Sequence, residues 1–280
     1  MKLDLVDVFA GYAPLTGNPL AVVHDGAWLS DAQMQGLCNW LGFSETTFLL
    51  PSTEPGADYR VRIFCPGREL PFAGHPTLGT AWAWLAAGGK PAREGVVVQQ
   101  CGVGLVEVRV EEDRLAFRAP PLIRSGPLTE PEIAETLDLL TGVLREDVLE
   151  AVWADNGPGW RLLRLASAEK VLQVGYAARA PRQMDIGLVG PGEREGVDWE
   201  VRAFFTVEGG QMREDPVTGS LNASIGQVLF SSGLAQGSYV AAQGQKAGGD
   251  GRVIVTEDGA DVWVGGRVEP VSLGGALGGF

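Results

Sequence analysis

The chain has 280 residues, and its 35 acidic residues against 22 Lys and Arg give a formal net charge of −13. Because 45% of the residues are hydrophobic and no apolar run approaches the roughly 20 residues of a membrane span, a disordered chain and a helical membrane protein are excluded. The negative charge disfavours nucleic acid and membrane partners.

The chain contains three cysteines and two histidines, which are Cys38, Cys65, Cys101, His24 and His75. The cysteines are too few and too scattered for a disulfide framework, and the start MKLDLVDVF is unlike a signal peptide. We therefore expect reduced thiols and a cytoplasmic location. So few potential ligands also predict that there is no metal site.

In the first half, apolar β-rich segments predict strands near residues 3–9, 20–23, 46–50, 59–65, 96–99, 104–110 and 114–118. Ser30 and Gln33 form a capping-box pattern before an amphipathic helix, which Gly42 would end. A segment after Pro76 that is apolar nearly all round predicts a buried helix up to about Gly88.

A Pro-rich stretch, residues 119–127, is the best candidate for a boundary between two parts of the chain. We place the domains at 1–122 and 123–280, with the option that the last strand returns to the first domain. Thr129 and Glu132 form a capping box before a helix that Gly142 would end, and a shorter helix is expected over about 146–152.

The two halves resemble each other when the chain is shifted by 140 positions. The shift places Val61–Phe64 on Val201–Phe204, Glu45 on Asp185, His75 on Asp215 and Gly79–Thr80 on Gly219–Ser220. The common offset predicts a duplicated α+β domain. Coincidence between two glycine-rich halves is the alternative.

Each half contains a loop of small and polar residues that leads into a helix, over residues 72–80 and 213–220. Free backbone N–H groups and the helix dipole at such a helix start attract an anion, which predicts binding of a small carboxylate. His75 and Asp215 could bond a substrate or move protons, and Ser220 could donate a hydroxyl. The alternatives are a structural histidine and a helix N-cap aspartate.

Glu45 directly precedes an apolar strand in the segment GFSETTF. A carboxylate at such a strand end can be partly buried and can serve as a general acid and base. From the residues alone, a solvated strand-end glutamate is the favoured alternative. Cys38 lies on the apolar face of its helix, where core packing explains it best.

The sequence resembles the phenazine-biosynthesis PhzF-like isomerases over nearly its whole length. The most specific matches are DVFAGYAPLTGNPLAVV, GFSETTFL, PFAGHPTLGTA and DPVTGSLNASIG. The resemblance implies the diaminopimelate-epimerase-like fold, an α+β fold of two pseudo-symmetric lobes. In that fold a curled, mostly antiparallel sheet surrounds a central helix in each lobe, and the active site lies between the lobes.

The resemblance also implies roles for individual residues. Glu45 would be the catalytic acid and base, and His75, Asp215 and Ser220 would bind the substrate. Together with the helix starts described above, this predicts that the N–H groups near Gly74 and Gly219 hold the substrate carboxylate. It implies a homodimeric isomerase that needs no cofactor and acts on a small, cyclic carboxylic acid.

Other functions stay open at the level of the sequence. A racemase with two facing thiols is disfavoured because neither helix-start loop contains a cysteine. A non-catalytic protein that binds small acids, a thiol-independent epimerase, and a hydrolase or lyase on another carboxylate are the remaining alternatives.

Overall fold

A computed structural model describes residues 1–278 as twenty β-strands and five α-helices. The chain divides into two compact units. The first unit contains Met1–Arg118 and the C-terminal segment from Gly265, and the second contains Ala119–Val264. The predicted α+β class is confirmed.

The first unit contains nine strands and two helices. Its strands are β1 (Lys2–Val8), β2 (Asn18–His24), β3 (Glu45–Leu50), β4 (Tyr59–Cys65), β5 (Arg68–Leu70), β6 (Val96–Cys101), β7 (Gly104–Val110), β8 (Leu115–Arg118) and β20 (Val268–Ala276). Its helices are α1 (Asp31–Leu41) and α2 (Gly74–Ala86), and a single 3₁₀ turn covers Gly26–Trp28.

The strands of the first unit form a mixed sheet in which neighbours are mostly antiparallel. The order is β20-β1-β2-β3-β4-β6-β7-β8, with β5 paired to the end of β4. Only the β2–β3 and β4–β6 pairs are parallel. Helix α2 contacts seven of these strands, so the sheet curls around it. This explains why the α2 sequence is apolar nearly all round.

Gly79 lets α2 approach the sheet closely. A Cβ atom at this position would lie 2.5 Å from Leu20 Cδ2 and 2.9 Å from Val8 Cγ2, which is closer than van der Waals contact allows. By contrast, a Cβ atom at Gly36, on the exposed side of α1, would meet no atom within 4 Å.

We expect Gly79→Ala to lower the free energy of unfolding by roughly 1–3 kcal/mol, because an overpacked core must shift. The matched change Gly36→Ala should raise it by up to about 1 kcal/mol, because alanine favours a helix. Urea denaturation of both variants measures the difference. Equal effects of the two changes would contradict this packing of α2.

The second unit repeats the scheme with eleven strands and three helices. Its strands are β9 (Arg124–Pro127), β10 (Leu140–Thr141), β11 (Val148–Asp155), β12 (Trp160–Leu165), β13 (Gly175–Tyr176), β14 (Asp185–Pro191), β15 (Trp199–Thr206), β16 (Met212–Asp215), β17 (Ser238–Gln243), β18 (Gly251–Asp258) and β19 (Asp261–Gly266). The helices are α3 (Glu130–Leu137), α4 (Ala168–Gln173) and α5 (Gly219–Ser231), and 3₁₀ turns cover Arg145–Asp147 and Glu208–Gly210.

The sheet of the second unit runs in the order β9-β11-β12-β14-β15-β17-β18, with β16 paired to the end of β15. The β12–β14 and β15–β17 pairs are parallel, as are β2–β3 and β4–β6 in the first unit. Helix α5 packs against β11, β12 and β18. The duplicated domain predicted from the sequence is therefore confirmed.

The offset of 140 residues holds at the level of strand register. Leu20 pairs with Glu45 in the first unit, and Trp160 pairs with Asp185 in the second. The offset fails at the helices, because α2 begins at Gly74 and α5 at Gly219, which is 145 positions later.

The predicted equivalence of His75 and Asp215 is therefore wrong. His75 and Ser220 are both the second residue of their helix. The chain between β15 and α5 is longer than the chain between β4 and α2 and includes the 3₁₀ turn Glu208–Gly210. An ungapped shift cannot represent such an insertion.

Of the helix predictions made from local sequence patterns, some are confirmed and one is wrong. The capping boxes of Ser30 with Gln33 and of Thr129 with Glu132 are confirmed at the starts of α1 and α3. The helix predicted over 146–152 is wrong, because a 3₁₀ turn is followed there by β11. Pairing of β11 with both β9 and β12 outweighs the helical propensity of this segment.

Candidate active site

The predicted site residues lie in two clusters, one in each unit. We call Glu45, Gly74 and His75 the first cluster, and Asp215, Gly219 and Ser220 the second cluster. Each cluster contains the first residues of the central helix of its unit.

In the first cluster, the sheet and α2 bring Glu45 and His75 into contact. Glu45 begins β3, next to Leu20 of β2, and His75 is the second residue of α2. The distance from His75 Nε2 to Glu45 Oε2 is 3.4 Å. The His75 side chain is 5% exposed and the Glu45 side chain 17%, so the contact is largely removed from water.

Burial keeps His75 neutral near pH 7. It lowers the imidazole pKa from 6.5 to about 3, although a hydrogen bond with the Pro19 backbone acts in the opposite direction. Proline has no N–H, so the imidazole must be the donor to the Pro19 carbonyl. Among residues 1–278, buried Nε2 has no hydrogen-bond partner, so the donor is Nδ1–H. Nε2 therefore presents a lone pair towards Glu45.

This tautomer defines what the Glu45–His75 contact can do. An ionised carboxylate and an unprotonated Nε2 are both acceptors and make no hydrogen bond with each other. Once Glu45 takes up a proton, its hydroxyl can donate to Nε2. The contact is therefore suited to a carboxyl group that alternates between its ionised and protonated forms.

The start of α2 presents open backbone donors beside this contact. Its N-cap is Ala73, whose methyl group cannot cap the helix, and Pro76 supplies no N–H. The N–H groups of Gly74 and His75 are thus the donors of the first turn. The positive end of the helix dipole adds to their attraction for an anion.

In the second cluster, too, no side chain caps the start of the helix, because the residue at the N-cap makes a hydrogen bond elsewhere. The N-cap of α5 is Thr218, but its hydroxyl does not cap the helix. The Thr218 hydroxyl instead donates to Asp215 Oδ2 at 2.6 Å. The first-turn N–H groups near Gly219 are consequently left for another acceptor. The alternative that Asp215 is the N-cap is wrong.

Ser220 is oriented by Trp160, a residue that the sequence did not single out. The Trp160 Nε1–H donates to Ser220 Oγ at 3.1 Å, and Asn156 Nδ2 donates to the Ser220 carbonyl at 2.9 Å. Since an indole only donates, Ser220 must direct its own hydroxyl hydrogen towards another acceptor. The sequence did contain one signal for Trp160, because the shift of 140 positions places this aromatic residue on the aliphatic Leu20.

Asp185 occupies the strand position that corresponds to Glu45. It begins β14, pairs with Trp160 and is 7% exposed. Gln183 Nε2 donates to Asp185 Oδ2 at 3.4 Å.

The cysteines are not arranged for thiol chemistry. Burial raises the pKa of Cys38 to about 11 and also raises the pKa values of Cys65 and Cys101, so all three thiols stay protonated near pH 7. Cys38 is fully buried, as the sequence predicted, and its thiol donates to the Phe64 carbonyl. The second unit contains no cysteine in its sequence, so two facing thiols cannot form.

Across residues 1–278, no group of three or more His, Cys, Asp or Glu side chains is placed to hold a metal ion. Within the same range, no helix is both long and apolar enough to cross a membrane.

Known proteins are similar to this chain in sequence and in fold. The family model described as "Phenazine biosynthesis-like protein" matches residues 6–276. An uncharacterized isomerase of Pasteurella multocida is 31% identical over 275 residues, which is 96% of this chain and 92% of that protein. A trans-2,3-dihydro-3-hydroxyanthranilate isomerase of Pseudomonas chlororaphis is 52% identical over 79 residues, 28% of each chain.

Among solved structures, a phenazine biosynthesis protein of the PhzF family from Enterococcus faecalis superposes with a TM-score of 0.79. It is 25% identical in sequence, and the match covers 99% of this chain and 100% of that one. The predicted fold and the predicted family resemblance are confirmed.

Proposed function

Since this chain belongs to the phenazine biosynthesis-like protein family, we propose that it is an isomerase in which Glu45 moves a proton within a small, cyclic carboxylic acid, without a cofactor. The observation that carries the proposal is the buried contact between Glu45 and the neutral His75. The remaining residues of the two clusters bind the substrate.

The substrate carboxylate binds at an open helix start. Neither Ala73 nor Thr218 caps its helix with a side chain, so the N–H groups near Gly74 and Gly219 are available to an anion. Since the chain carries a net charge of −13, this local attraction must overcome an unfavourable overall field.

Asp215 and Ser220 select the other polar groups of the substrate. The Asp215 carboxylate, to which the Thr218 hydroxyl donates, is an acceptor for hydrogen bonds from hydroxyl or amino groups. Ser220 donates its hydroxyl hydrogen, because Trp160 already donates to its oxygen. This set favours an acid that also carries hydroxyl or amino substituents. The substrate in the name of the Pseudomonas chlororaphis relative has both groups.

The proton shift proceeds in two steps that conserve atoms and electrons. Ionised Glu45 removes a proton from an acidified C–H bond, and the electron pair of that bond enters the conjugated system of the substrate. The protonated Glu45 donates to His75 Nε2 and then returns its proton to another carbon on the same face. Acid–base catalysis of this type contributes about 10²–10⁴-fold to the rate.

Trp160→Phe tests the role assigned to Ser220. The variant keeps the ring but removes the N–H donor, so the Ser220 hydroxyl can rotate away from the substrate. We expect kcat/KM to fall by about tenfold, the effect of losing one neutral hydrogen bond, mainly through a higher KM. Steady-state kinetics measure this change. An unaltered KM in the variant would show that Trp160 does not orient Ser220 for binding.

The proposal is tested with trans-2,3-dihydro-3-hydroxyanthranilate and a panel of cyclic and amino carboxylic acids. The protein is first dialysed against a buffer that contains EDTA and no cofactor, which removes metal ions and small cofactors. Binding is then measured by thermal shift, and conversion is measured by NMR. Conversion of a bound acid by the dialysed protein supports the proposal. Binding without any conversion would support a non-catalytic protein that binds small acids.

We also propose that the protein acts as a homodimer, as the family resemblance implies. Light scattering after gel filtration should then give twice the chain mass of 29.6 kDa. A single-chain mass at micromolar concentration would contradict the proposal.

A further inference from the structure

We propose that Gln243 is a positioning residue that orients Asp215 and keeps the start of α5 open for the substrate. Gln243 ends β17, 28 positions after Asp215 in the sequence, and its side chain is completely buried. The inference rests on the proposed function, because it assigns a role in substrate binding to the second cluster.

The Gln243 side-chain amide makes four hydrogen bonds around the second cluster. Its Oε1 accepts from the Thr218 backbone N–H at 3.1 Å and from Asn222 Nδ2 at 2.9 Å. Its Nε2 donates to the Asp215 carbonyl at 3.1 Å and to Thr218 Oγ1 at 3.0 Å. The side chain thus joins the end of β16, the N-cap of α5 and the first turn of α5.

These partners fix which end of the amide is which. The Thr218 N–H can only donate and the Asp215 carbonyl can only accept, so Oε1 must face the first and Nε2 the second. The network contains no alternative orientation that would satisfy both backbone groups.

The orientation of Gln243 dictates the direction of the Thr218 hydroxyl. Because Nε2 donates to Thr218 Oγ1, this hydroxyl must direct its single hydrogen elsewhere, and it donates to Asp215 Oδ2 at 2.6 Å. A chain of hydrogen bonds therefore runs from Gln243 through Thr218 to the Asp215 carboxylate. Each bond in such a chain polarises and strengthens the next.

Two properties of the second cluster follow from this chain. The Asp215 carboxylate is held in one orientation by the Thr218 hydroxyl, as binding to substrate hydroxyl or amino groups requires. The Thr218 hydroxyl is also kept from its usual role as an N-cap, so the first-turn N–H groups of α5 stay available. Gln243 contributes to both properties without facing the substrate itself.

Gln100 provides a matched control for the cost of removing a buried glutamine. It is 7% exposed and bonds Thr53 and Glu54 with both ends of its amide. These partners lie in the loop between β3 and β4 and belong to neither cluster. Gln100→Leu therefore removes a comparable network without touching a proposed site residue.

The experiment compares Gln243→Leu, Thr218→Val and Gln100→Leu in the full-length chain. Kinetics are measured with trans-2,3-dihydro-3-hydroxyanthranilate, and a crystal structure of each folded variant shows the Thr218 side chain. We expect kcat/KM to fall roughly ten- to a hundredfold in Gln243→Leu and in Thr218→Val, mainly through KM, and to stay near the wild-type value in Gln100→Leu. In the Gln243→Leu crystal, the Thr218 hydroxyl should leave Asp215 and accept from an N–H of α5.

A loss in Gln243→Leu no greater than in Gln100→Leu would overturn the inference. If Gln243→Leu does not fold, Thr218→Val decides, because an unchanged KM in that nearly isosteric variant also overturns it. If the wild-type protein converts no substrate, the proposed function fails, and the positioning role of Gln243 is then tested by the crystal structures alone. A Thr218 hydroxyl that still donates to Asp215 in Gln243→Leu would overturn the positioning role, and a rotated hydroxyl would support it.

Discussion

Glu45→Gln should reduce kcat by about 10²–10⁴-fold, the range that a general acid–base group contributes. Glutamine has the same shape as glutamate but cannot take up a proton from carbon. Substrate affinity should change little, because in the proposed mechanism the carboxylate of the substrate binds at a helix start and not at Glu45. Isothermal titration with a bound acid, together with steady-state kinetics, separates the two effects.

Glu54→Gln is the matched control for this change. Glu54 lies in an exposed loop of the same unit, where it accepts a hydrogen bond from Gln100. This variant should keep the wild-type kcat. Full activity of Glu45→Gln would remove Glu45 from the mechanism, and an equal loss in both variants would indicate a general effect of charge.

His75→Asn should remove much of the acid sensitivity of folding. The imidazole pKa is lowered to about 3 in the folded protein, against 6.5 in the unfolded chain. Between these values the unfolded state binds more protons, so the free energy of unfolding decreases as the pH falls from 6.5 towards 3. Above pH 6.5 the imidazole is neutral in both states, so its full contribution to the free energy of unfolding is present and no longer changes with pH. The loss of this free energy between pH 6.5 and pH 3 is at most on the order of 5 kcal/mol.

Asparagine is suited to this test because its amide can replace Nδ1–H as the donor to Pro19. It cannot reach the position of Nε2, so the contact with Glu45 is lost. Urea denaturation of wild type and His75→Asn at several pH values between 4 and 7.5 isolates the histidine from the carboxyl groups that also titrate there. Parallel stability curves would show that His75 is not held in a neutral form by burial.

The same variant should also be a slower enzyme. Without Nε2, the protonated form of Glu45 loses its acceptor, so we expect kcat to fall by roughly ten- to a hundredfold. Kinetics at pH 7.5, where the imidazole is neutral in both the folded and the unfolded state, measure this loss without a contribution from its titration. An undiminished kcat would mean that His75 serves the fold only.

The sequence predicted elements whose signals are local or repeated. The capping box of Ser30 with Gln33 required only four neighbouring residues, and it is present at the start of α1. The duplication was visible because strands β4 and β15 keep the same hydrophobic pattern and the same register with their neighbours. The family resemblance then supplied the fold of each unit.

The sequence could not predict contacts that depend on tertiary structure. The strand Val148–Asp155 forms because it pairs with β9 on one side and β12 on the other. The residues within this strand do not indicate that pairing. Trp160 contacts Ser220 of the second cluster across 60 positions of the sequence, and Gln243 contacts Asp215 of the same cluster across 28 positions. Only the folded sheet brings them to the start of α5.

The predicted pairing of His75 with Asp215 failed for a related reason. The longer connection before α5 displaces the helix by five positions relative to an ungapped repeat. As a result, Ser220 and not Asp215 occupies the place of His75. The two clusters are thus built on one scheme but contain different side chains, with a buried carboxyl–imidazole contact in the first and a hydrogen-bonded aspartate in the second.

The most direct test of the proton shift by Glu45 is the reaction in D₂O followed by NMR. Wild-type protein should convert the bound acid, and the carbon that receives the proton should carry deuterium in the fraction of turnovers in which protonated Glu45 exchanges with the solvent before it returns its proton. Glu45→Gln should give neither product nor deuterium. A bound acid that wild type neither converts nor deuterates, or a Glu45→Gln variant that does both at the wild-type rate, would contradict the account.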